Sequence, residues 1–226
     1  MEATIADLSA ERDRMVRTQL TDRGIRSREV LDAMGAVPRE RFIDEAFWNQ
    51  TYRDSPLPIA AGQTISQPYI VALMIEAAEV GRADRVLEVG AGSGYAAAVL
   101  SRLATQVIAI ERDPGLAASA HERLAGLGCK NVEVRVGDGT RPMNGSVQFD
   151  VILVAAAGPD VPAALMAQLA IHGRLVMPVG TREQQNLVKV TRTATDVFEQ
   201  EIITRVSFVP LVGEQGWAEA PEANPR

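Results

Sequence analysis

The sequence predicts a doubly wound α/β fold: a mostly parallel sheet, an N-terminal helical cap and an antiparallel pair at one sheet edge. Three observations predict it. Short strand-like segments recur at residues 85–89, 106–110, 132–136, 150–155 and 174–179, most of them with little polar alternation. Helical segments separate them. A glycine-rich turn, Gly90-Ala91-Gly92-Ser93-Gly94, follows the first. Strands that lack alternation are buried on both faces, which calls for a parallel sheet covered by helices. Right-handed crossovers then give the doubly wound arrangement.

Each element has its own reason. Residues 6–23 set Leu8, Met15, Val16 and Leu20 among charges, an amphipathic helix ended near Gly24. Ser27 can cap a second short helix carrying Val30, Leu31 and Met34, and Pro38 interrupts it. Residues 39–61 are irregular, with Pro56 and Pro58 close together. Pro68 suits the first position of a helix, where its missing N–H is not needed, and an apolar helix follows over 69–80. Another helix covers 95–103 after the glycine turn. Asp113 and Pro114 supply a cap and a first-turn proline for a helix reaching about Leu127. A helix over 162–170 precedes the strand at 174–179. Segments 186–190 and 198–206 are further strands with only a short gap between them, hence the antiparallel edge pair. One domain is expected: a cap and substrate-side segment over about 1–80, an α/β core over 81–212, and a tail over 213–226.

Composition narrows the function. The 226 residues are 46% apolar, enough for a core that needs no disulfide or metal staple. Cys129 stands alone and cannot form an internal disulfide, which points to a reducing compartment. The net charge of −6, with no long Lys/Arg run, argues against a generic grip on nucleic acid or anionic lipid. Residues 1–20 contain no apolar signal core, and no segment approaches the ~20 apolar residues of a membrane span. The cytoplasm is the expected location. His121 and His172 lie in different elements without a nearby cysteine pair, so no metal site is expected. Trp48 and Trp217 are expected to pack, and His121 to lie on a helix surface.

The glycine turn raises the question of its ligand. Such turns bring backbone close to a ligand, and in the dinucleotide fingerprint the spacing G-x-G-x-x-G meets a pyrophosphate. Here the spacing is Gly90-x-Gly92-x-Gly94, with Glu88 two residues before the first glycine. A carboxylate there repels a pyrophosphate and suits an ammonium and a sulfonium, the two positive charges of S-adenosylmethionine. Glu111 ends the second strand, where a carboxylate can accept both ribose hydroxyls, a position that NAD enzymes share. Asp138, with Gly139 after the third strand, can accept from an adenine amino group. Taken singly, Glu111 reads as a surface charge beside Arg112 and Asp113, and Asp138 as a turn former between glycines. Taken together, these residues occupy C-terminal strand ends, where ligands bind in this fold. The set predicts an S-adenosylmethionine-dependent methyltransferase. The spacing and Glu88 disfavour an NAD-linked oxidoreductase.

A second segment is more particular. Tyr52-Arg53-Asp54-Ser55-Pro56-Leu57-Pro58-Ile59 leads into Ala61-Gly62-Gln63-Thr64-Ile65-Ser66-Gln67-Pro68-Tyr69. This stretch closely resembles the protein-L-isoaspartate O-methyltransferase family. The resemblance continues through the glycine turn, Gly137-Asp138-Gly139, Phe149-Asp150-Val151-Ile152-Leu153-Val154, Gly173-Arg174-Leu175-Val176-Met177-Pro178-Val179-Gly180 and Phe208-Val209-Pro210-Leu211-Val212-Gly213. It runs from about residue 14 to residue 217. It implies methyl transfer from S-adenosylmethionine to the α-carboxylate of isoaspartyl residues in damaged proteins and peptides, leaving S-adenosylhomocysteine. The ester then collapses to a succinimide, whose hydrolysis returns part of the material to normal linkage. The resemblance marks Ser66 as the active-site residue. Ile65, Gln67, Pro68 and Tyr69 would wall the cofactor site, and Thr64 and Val212 would border the substrate. Isoaspartyl proteins and peptides would be the partners, with the chain a monomer or weak homo-oligomer.

Chemistry accommodates that reading. A carboxylate with a pKa of about 4 is ionised at pH 7 and needs no general base. Alignment of oxygen, methyl and sulfur can supply roughly 7–11 kcal/mol. Ser66 would hold the substrate carboxylate by a hydrogen bond and would not act as a nucleophile. Spacing alone leaves two readings of Ser66 open: a cap for the helix at Pro68, or an anion holder beside that helix's N–H groups. The chain also departs from the family. Ala155-Ala156-Ala157 stands where Thr-Ala-Ala is usual, Thr140-Arg141-Pro142-Met143-Asn144-Gly145 replaces a Gly-Trp pair, and His172 replaces a glycine. These changes bear on substrate preference. A different peptide or natural-product carboxylate, and a non-catalytic binding module of the same fold, are the alternatives. Asn144-Gly145 is a turn signal and a deamidation-prone pair, so the chain could be its own substrate.

Overall fold

The computed structural model describes residues 5–143 and 147–219. The Asn144-Gly145 turn lies outside the described residues. Helix α1, Ile5–Met15, runs into a π-helical turn, Val16–Thr21, and the chain leaves it at Gly24 with φ +106°. Helix α2, Arg28–Ala36, begins with the Ser27 hydroxyl accepting the Val30 N–H at 3.3 Å. Short 3₁₀ turns follow at Arg39–Phe42, Glu45–Gln50 and Ala60–Gly62. Two tiny strands, β1 (Leu57–Pro58) and β2 (Thr64–Ile65), pair antiparallel, and α3 (Pro68–Ala77) starts with its proline in the first turn.

The main sheet then forms. Its elements are β3 (Arg85–Val89), α4 (Tyr95–Leu100), β4 (Gln106–Glu111), α5 (Pro114–Gly126), β5 (Val132–Val136) and β6 (Phe149–Val154). They are followed by α6 (Ala163–Ala167), β7 (Leu169–Gly180), β8 (Gln185–Ala194) and β9 (Val197–Val206). The strand order is β5-β4-β3-β6-β7-β8-β9. Five strands are parallel, and β8 and β9 add antiparallel at one edge. Connections leave β3 and β6 in opposite directions, so a crevice opens between their C-terminal ends.

Alternation along buried strands explains the apolar runs. In β3, Val86 packs with Leu8, Met15, Met34, Phe42 and Ala97 on one face. Leu87 and Val89 pack with Ile108, Ile152, Leu165 and Leu175 on the other. Apolar side chains pack on both faces, so the strand does not show polar alternation. Each fully buried aliphatic or aromatic side chain contributes roughly 1.5–3 kcal/mol. The N-terminal segment belongs to the first of these cores.

The largest departure from the expected bounds lies where α6 gives way to β7. The helix expected over 162–170 stops at Ala167, and Leu169 and Ala170 enter β7. Sheet pairing wins there. The Phe149 N–H donates to the Gln168 carbonyl at 2.8 Å, and Phe149 pairs with Leu169. His172 takes φ +68° just beyond, at an irregularity within β7 where the register against β6 shifts and a Cβ on Gly173 would lie 2.8 Å from the Ala170 carbonyl. Among the described residues no helix is long and apolar enough to cross a membrane.

Candidate active site

The glycine turn closes the crevice from below. Gly90, Gly92 and Gly94 all adopt positive φ, at +87°, +53° and +89°. L side chains are strained in that region. The Gly90 and Ala91 N–H groups donate to the Ile110 carbonyl at 2.8 and 3.1 Å, which ties the turn to β4. Gly94 serves packing: a Cβ there would sit 3.2 Å from the Ala120 Cβ and 3.4 Å from Leu124 on α5.

A cavity of about 360 Å³ lies at these strand ends. Of the residues expected at the site, Thr64, Ile65, Ser66, Glu88, Gly90, Gly92, Glu111, Gly139 and Val212 line it. A second cavity, of about 620 Å³, adjoins it. Thr64, Ser66, Ala155 and Val209 border both, and Gln67 borders the second. Pro68, Tyr69, Gly94 and Asp138 line neither.

The two glutamates sit in different circumstances. Glu111 Oε2 accepts the Gly92 N–H at 2.9 Å and Oε1 accepts the Asp113 N–H at 3.0 Å. Glu88 is 2% exposed, and neither of its oxygens has a hydrogen-bond partner among the described residues. Burial, aided by the nearby Glu111 charge, pushes its pKa up to about 8. An unpartnered buried carboxylate is costly. This one borders a cavity, and an ammonium group reaching it would satisfy it. The residues therefore fit S-adenosylmethionine: a glycine turn for close backbone approach, an acceptor at Glu111, and an unmatched acid at Glu88.

Asp138 is engaged by protein. Its Oδ1 accepts the Thr140 N–H at 2.9 Å and hydroxyl at 2.7 Å, and its Oδ2 accepts the Glu214 N–H at 2.8 Å. Burial works to raise its pKa, but these hydrogen bonds and Arg141 prevail and lower it. Gly213 is pressed against it, since a Cβ there would lie 2.2 Å from Asp138 Oδ1. Two ion pairs extend this attachment: Arg141 with Glu214 at 2.6 Å, and Arg112 with Glu219 at 2.8 Å. Leu211, Val212 and Glu219 thereby wall the cavity.

The environment of Ser66 resolves one reading. The α3 terminus is capped by Asp54, whose Oδ1 accepts the Tyr69 N–H at 3.0 Å. Gln67 holds the cap position without a side-chain bond. Ser66 is thus not the helix cap, and it stands at the wall common to both cavities.

The family model for protein-L-isoaspartate(D-aspartate) O-methyltransferase (PCMT) matches residues 10–216. The chain belongs to this family. It is 54% identical over 216 residues to protein-L-isoaspartate O-methyltransferase 1 of Rhodopseudomonas palustris, covering 95% of this chain and 88% of that one. It is also 54% identical over 215 residues to the Methylorubrum extorquens protein-L-isoaspartate O-methyltransferase, covering 95% and 94%. Its fold matches a Plasmodium falciparum structure described as a protein-L-isoaspartate O-methyltransferase in complex with S-adenosyl-L-homocysteine. That match has a TM-score of 0.78 and 25% identity, covering 89% of this chain and 98% of the other. A second structure under the same enzyme name matches at TM-score 0.82 and 26% identity, covering 91% and 67%. The expected fold class and the family resemblance are both borne out.

Sequence reasoning did not single out several cavity residues. Met74 and Ile75 line the cofactor-sized cavity from α3, and Leu211 and Glu219 from the C-terminal segment, whereas Tyr95, the last residue of the expected cofactor loop from Val86 to Tyr95, lines it from α4. The helical residues look like ordinary core in sequence, and most of their side chain is core. Tyr95 stacks edge-on against Phe42 at 5.6 Å between centroids, and burial pushes its phenol up to about 12. A signal for Tyr95 was its place directly after the last glycine of the turn. Among the described residues no group of three or more His, Cys, Asp or Glu could hold a metal ion.

Proposed function

We propose that this chain transfers a methyl group from S-adenosylmethionine to the α-carboxylate of L-isoaspartyl residues in damaged proteins and peptides. The observation that carries the reading is Glu88, buried and unpartnered beside a cavity that meets a second cavity at Ser66. Membership in the family supports the same substrate. When bound, S-adenosylmethionine supplies an electrophilic methyl group on a positively charged sulfur. The chain's own residues do the rest. Glu88 balances the ligand's ammonium. Glu111, with lone pairs left over after Gly92 and Asp113, accepts from hydroxyls. Asp138 acts on the nucleoside end through the segment that it holds over the cavity.

Ser66 is the residue proposed to touch the substrate. Its hydroxyl donates to one oxygen of the isoaspartyl carboxylate and aims the other at the methyl group. A neutral donor suits this task. The carboxylate loses its charge as the ester bond forms, so a full cation on it would stabilise the ground state more than the transition state. No proton moves in the transfer. The ester carries a better leaving group than the carboxylate did: the following backbone amide nitrogen bonds to the ester carbon, and methoxide leaves with the amide proton as methanol, giving the succinimide. Thr64 and Val212 border the substrate in this scheme, and Ile65 screens the reacting atoms from water.

The chain is further proposed to work as one domain in the cytoplasm, as a monomer or weak homo-oligomer, with isoaspartyl proteins and peptides as its partners. The lone Cys129 and the net charge of −6 support that setting. The test is methyl transfer to paired peptides that differ only in an isoaspartyl or aspartyl linkage. Transfer to the isoaspartyl member alone is expected. Equal transfer to both would favour a different carboxylate as the natural acceptor, and transfer to neither would remove the enzymatic reading.

A further inference from the structure

Among the described residues no hydrogen bond holds the side chain of Ser66. The residue is bracketed by two attachments, and both lead back to the segment from Asp54 to Pro58. On one side, β2 pairs with β1 through Leu57 with Ile65 and Pro58 with Thr64. On the other, Asp54 Oδ1 accepts the Tyr69 N–H at 3.0 Å, and its Oδ2 accepts from Gln67 Nε2 at 3.4 Å. Oδ2 also accepts a close hydrogen bond from the Arg23 guanidinium. That guanidinium lies 3.7 Å from the centroid of the Tyr69 ring. Arg23, Asp54 and Tyr69 therefore form a closed clasp from three separate segments, immediately after Ser66.

A helix cap alone does not need this arrangement. Capping α3 takes one oxygen on one N–H. Here the carboxylate also takes the Gln67 side chain, one residue from Ser66, and its charge is matched by a cation stacked on the next aromatic. A carboxylate contacts residues on Ser66's C-terminal side and a β-bridge holds its N-terminal side, so the backbone that carries the hydroxyl is fixed from both directions. That rigidity suits a group whose work is aiming, because a misplacement of about 1 Å can cost about 100-fold in rate.

We propose that Asp54, backed by Arg23, is a positioning residue for Ser66. This rests on the reading that Ser66 binds the substrate carboxylate. Asp54 lines neither cavity.

A double-mutant cycle on kcat with an isoaspartyl peptide tests it, alongside S-adenosylhomocysteine binding as a measure of the intact fold. Asp54→Ala is expected to lower kcat about 10- to 100-fold, with cofactor affinity within about threefold of the parent. In the Ser66→Ala background, Asp54→Ala is expected to change kcat by less than about threefold, because the group it positions is gone. Additive losses, or a kcat for Asp54→Ala equal to the parent's, would overturn the clasp. A Ser66→Ala enzyme as fast as the parent would instead overturn the Ser66 reading on which the clasp depends. If Asp54→Ala abolishes cofactor binding, Asp54→Asn replaces it in the same cycle. Its amide oxygen still caps Tyr69 while the charge facing Arg23 is lost, so an intermediate, non-additive loss is expected there. An additive one overturns the proposal.

Discussion

The Gly92 N–H donates to Glu111 Oε2 at 2.9 Å, so one of the two site carboxylates is anchored by the glycine turn itself. Glu88, on the neighbouring strand, accepts from no group among the described residues. Glu111 thus has partners in the protein alone, whereas Glu88 lacks its counterpart until a cation arrives.

A pH-dependent affinity follows. Glu88 has a pKa of about 8 in the ligand-free protein, so it is mostly protonated at pH 7. An ammonium-bearing ligand favours the ionised form, so binding below pH 8 expels a proton. S-adenosylhomocysteine affinity should rise with pH up to about 8 and then level. Titration calorimetry in buffers of different ionisation enthalpy should show the released proton. Glu88→Gln should bind more weakly and lose both the release and the slope. Buffer-independent heats in the parent would contradict this.

The same group affects stability without ligand. Its folded pKa is raised above the ordinary 4.5, so the folded state binds more protons than the unfolded one between about 4.5 and 8. Stability from Glu88 is present below that window and is lost as pH rises through it. The melting temperature of the parent, measured against Glu88→Gln at each pH, should therefore drift downward from pH 5 to pH 8. A flat difference would show that Glu88 titrates near its ordinary value.

Ser66→Ala should lower kcat about 10- to 100-fold. This is the range expected for losing a hydrogen bond to a charged group, worth about 1.5–3 kcal/mol. Cofactor affinity should hold, because the cavity wall keeps its shape. Rapid-quench measurement of one turnover separates this from slow product release. A normal single-turnover rate would take Ser66 out of the chemistry.

Gly139 tests how closely β3 is approached. A Cβ there would lie 2.4 Å from Val89 Cγ1, a steric conflict. Gly139→Ala should destabilise by about 1–3 kcal/mol. Trimming Val89 to alanine should make the second change less costly than it is alone. Urea denaturation of the four-member cycle measures the coupling, and strict additivity would refute the contact.

His172 offers the opposite sign. At φ +68° it occupies a conformation that costs a residue with a Cβ roughly 1–2 kcal/mol. Glycine removes that cost and adds unfolded-state freedom of about 0.5–1 kcal/mol. His172→Gly should therefore stabilise by up to about 1 kcal/mol, seen as a higher urea midpoint at unchanged slope, with methyl transfer unaffected. A lower midpoint would show that the imidazole makes a compensating contact.

Local chemistry made most of the fold legible. The bounds of β3 and β5 follow from residue type alone, and Ser27, Asp113, Pro68 and Pro114 open their helices as capping rules require. Legibility ended where distant segments decide the outcome. Residues 169–170 have a helical composition, but pairing with Phe149 draws them into the sheet. Asp138 follows its strand as expected, yet Glu214, 76 residues away, donates to its side chain. The cap on α3 comes from Asp54, 15 residues upstream of its N–H partner, where no i to i+3 rule would look. Glu88 and the glycine turn were legible because strand end and tight turn are both local patterns. The walls contributed by Met74 and Leu211 were not, because a core residue and a cavity residue have the same composition.

The C-terminal segment carries a consequence for synthesis. Arg112 and Glu219 meet across 107 residues of chain, and Leu211, Val212 and Glu219 complete the cavity. A ribosome that has made β3, β4 and the glycine turn has therefore made only part of a container. A nascent chain halted before Val209 would hold Glu88 and Glu111 with one wall missing. The cavity is thus completed only when the C-terminal segment has folded back onto the strand ends.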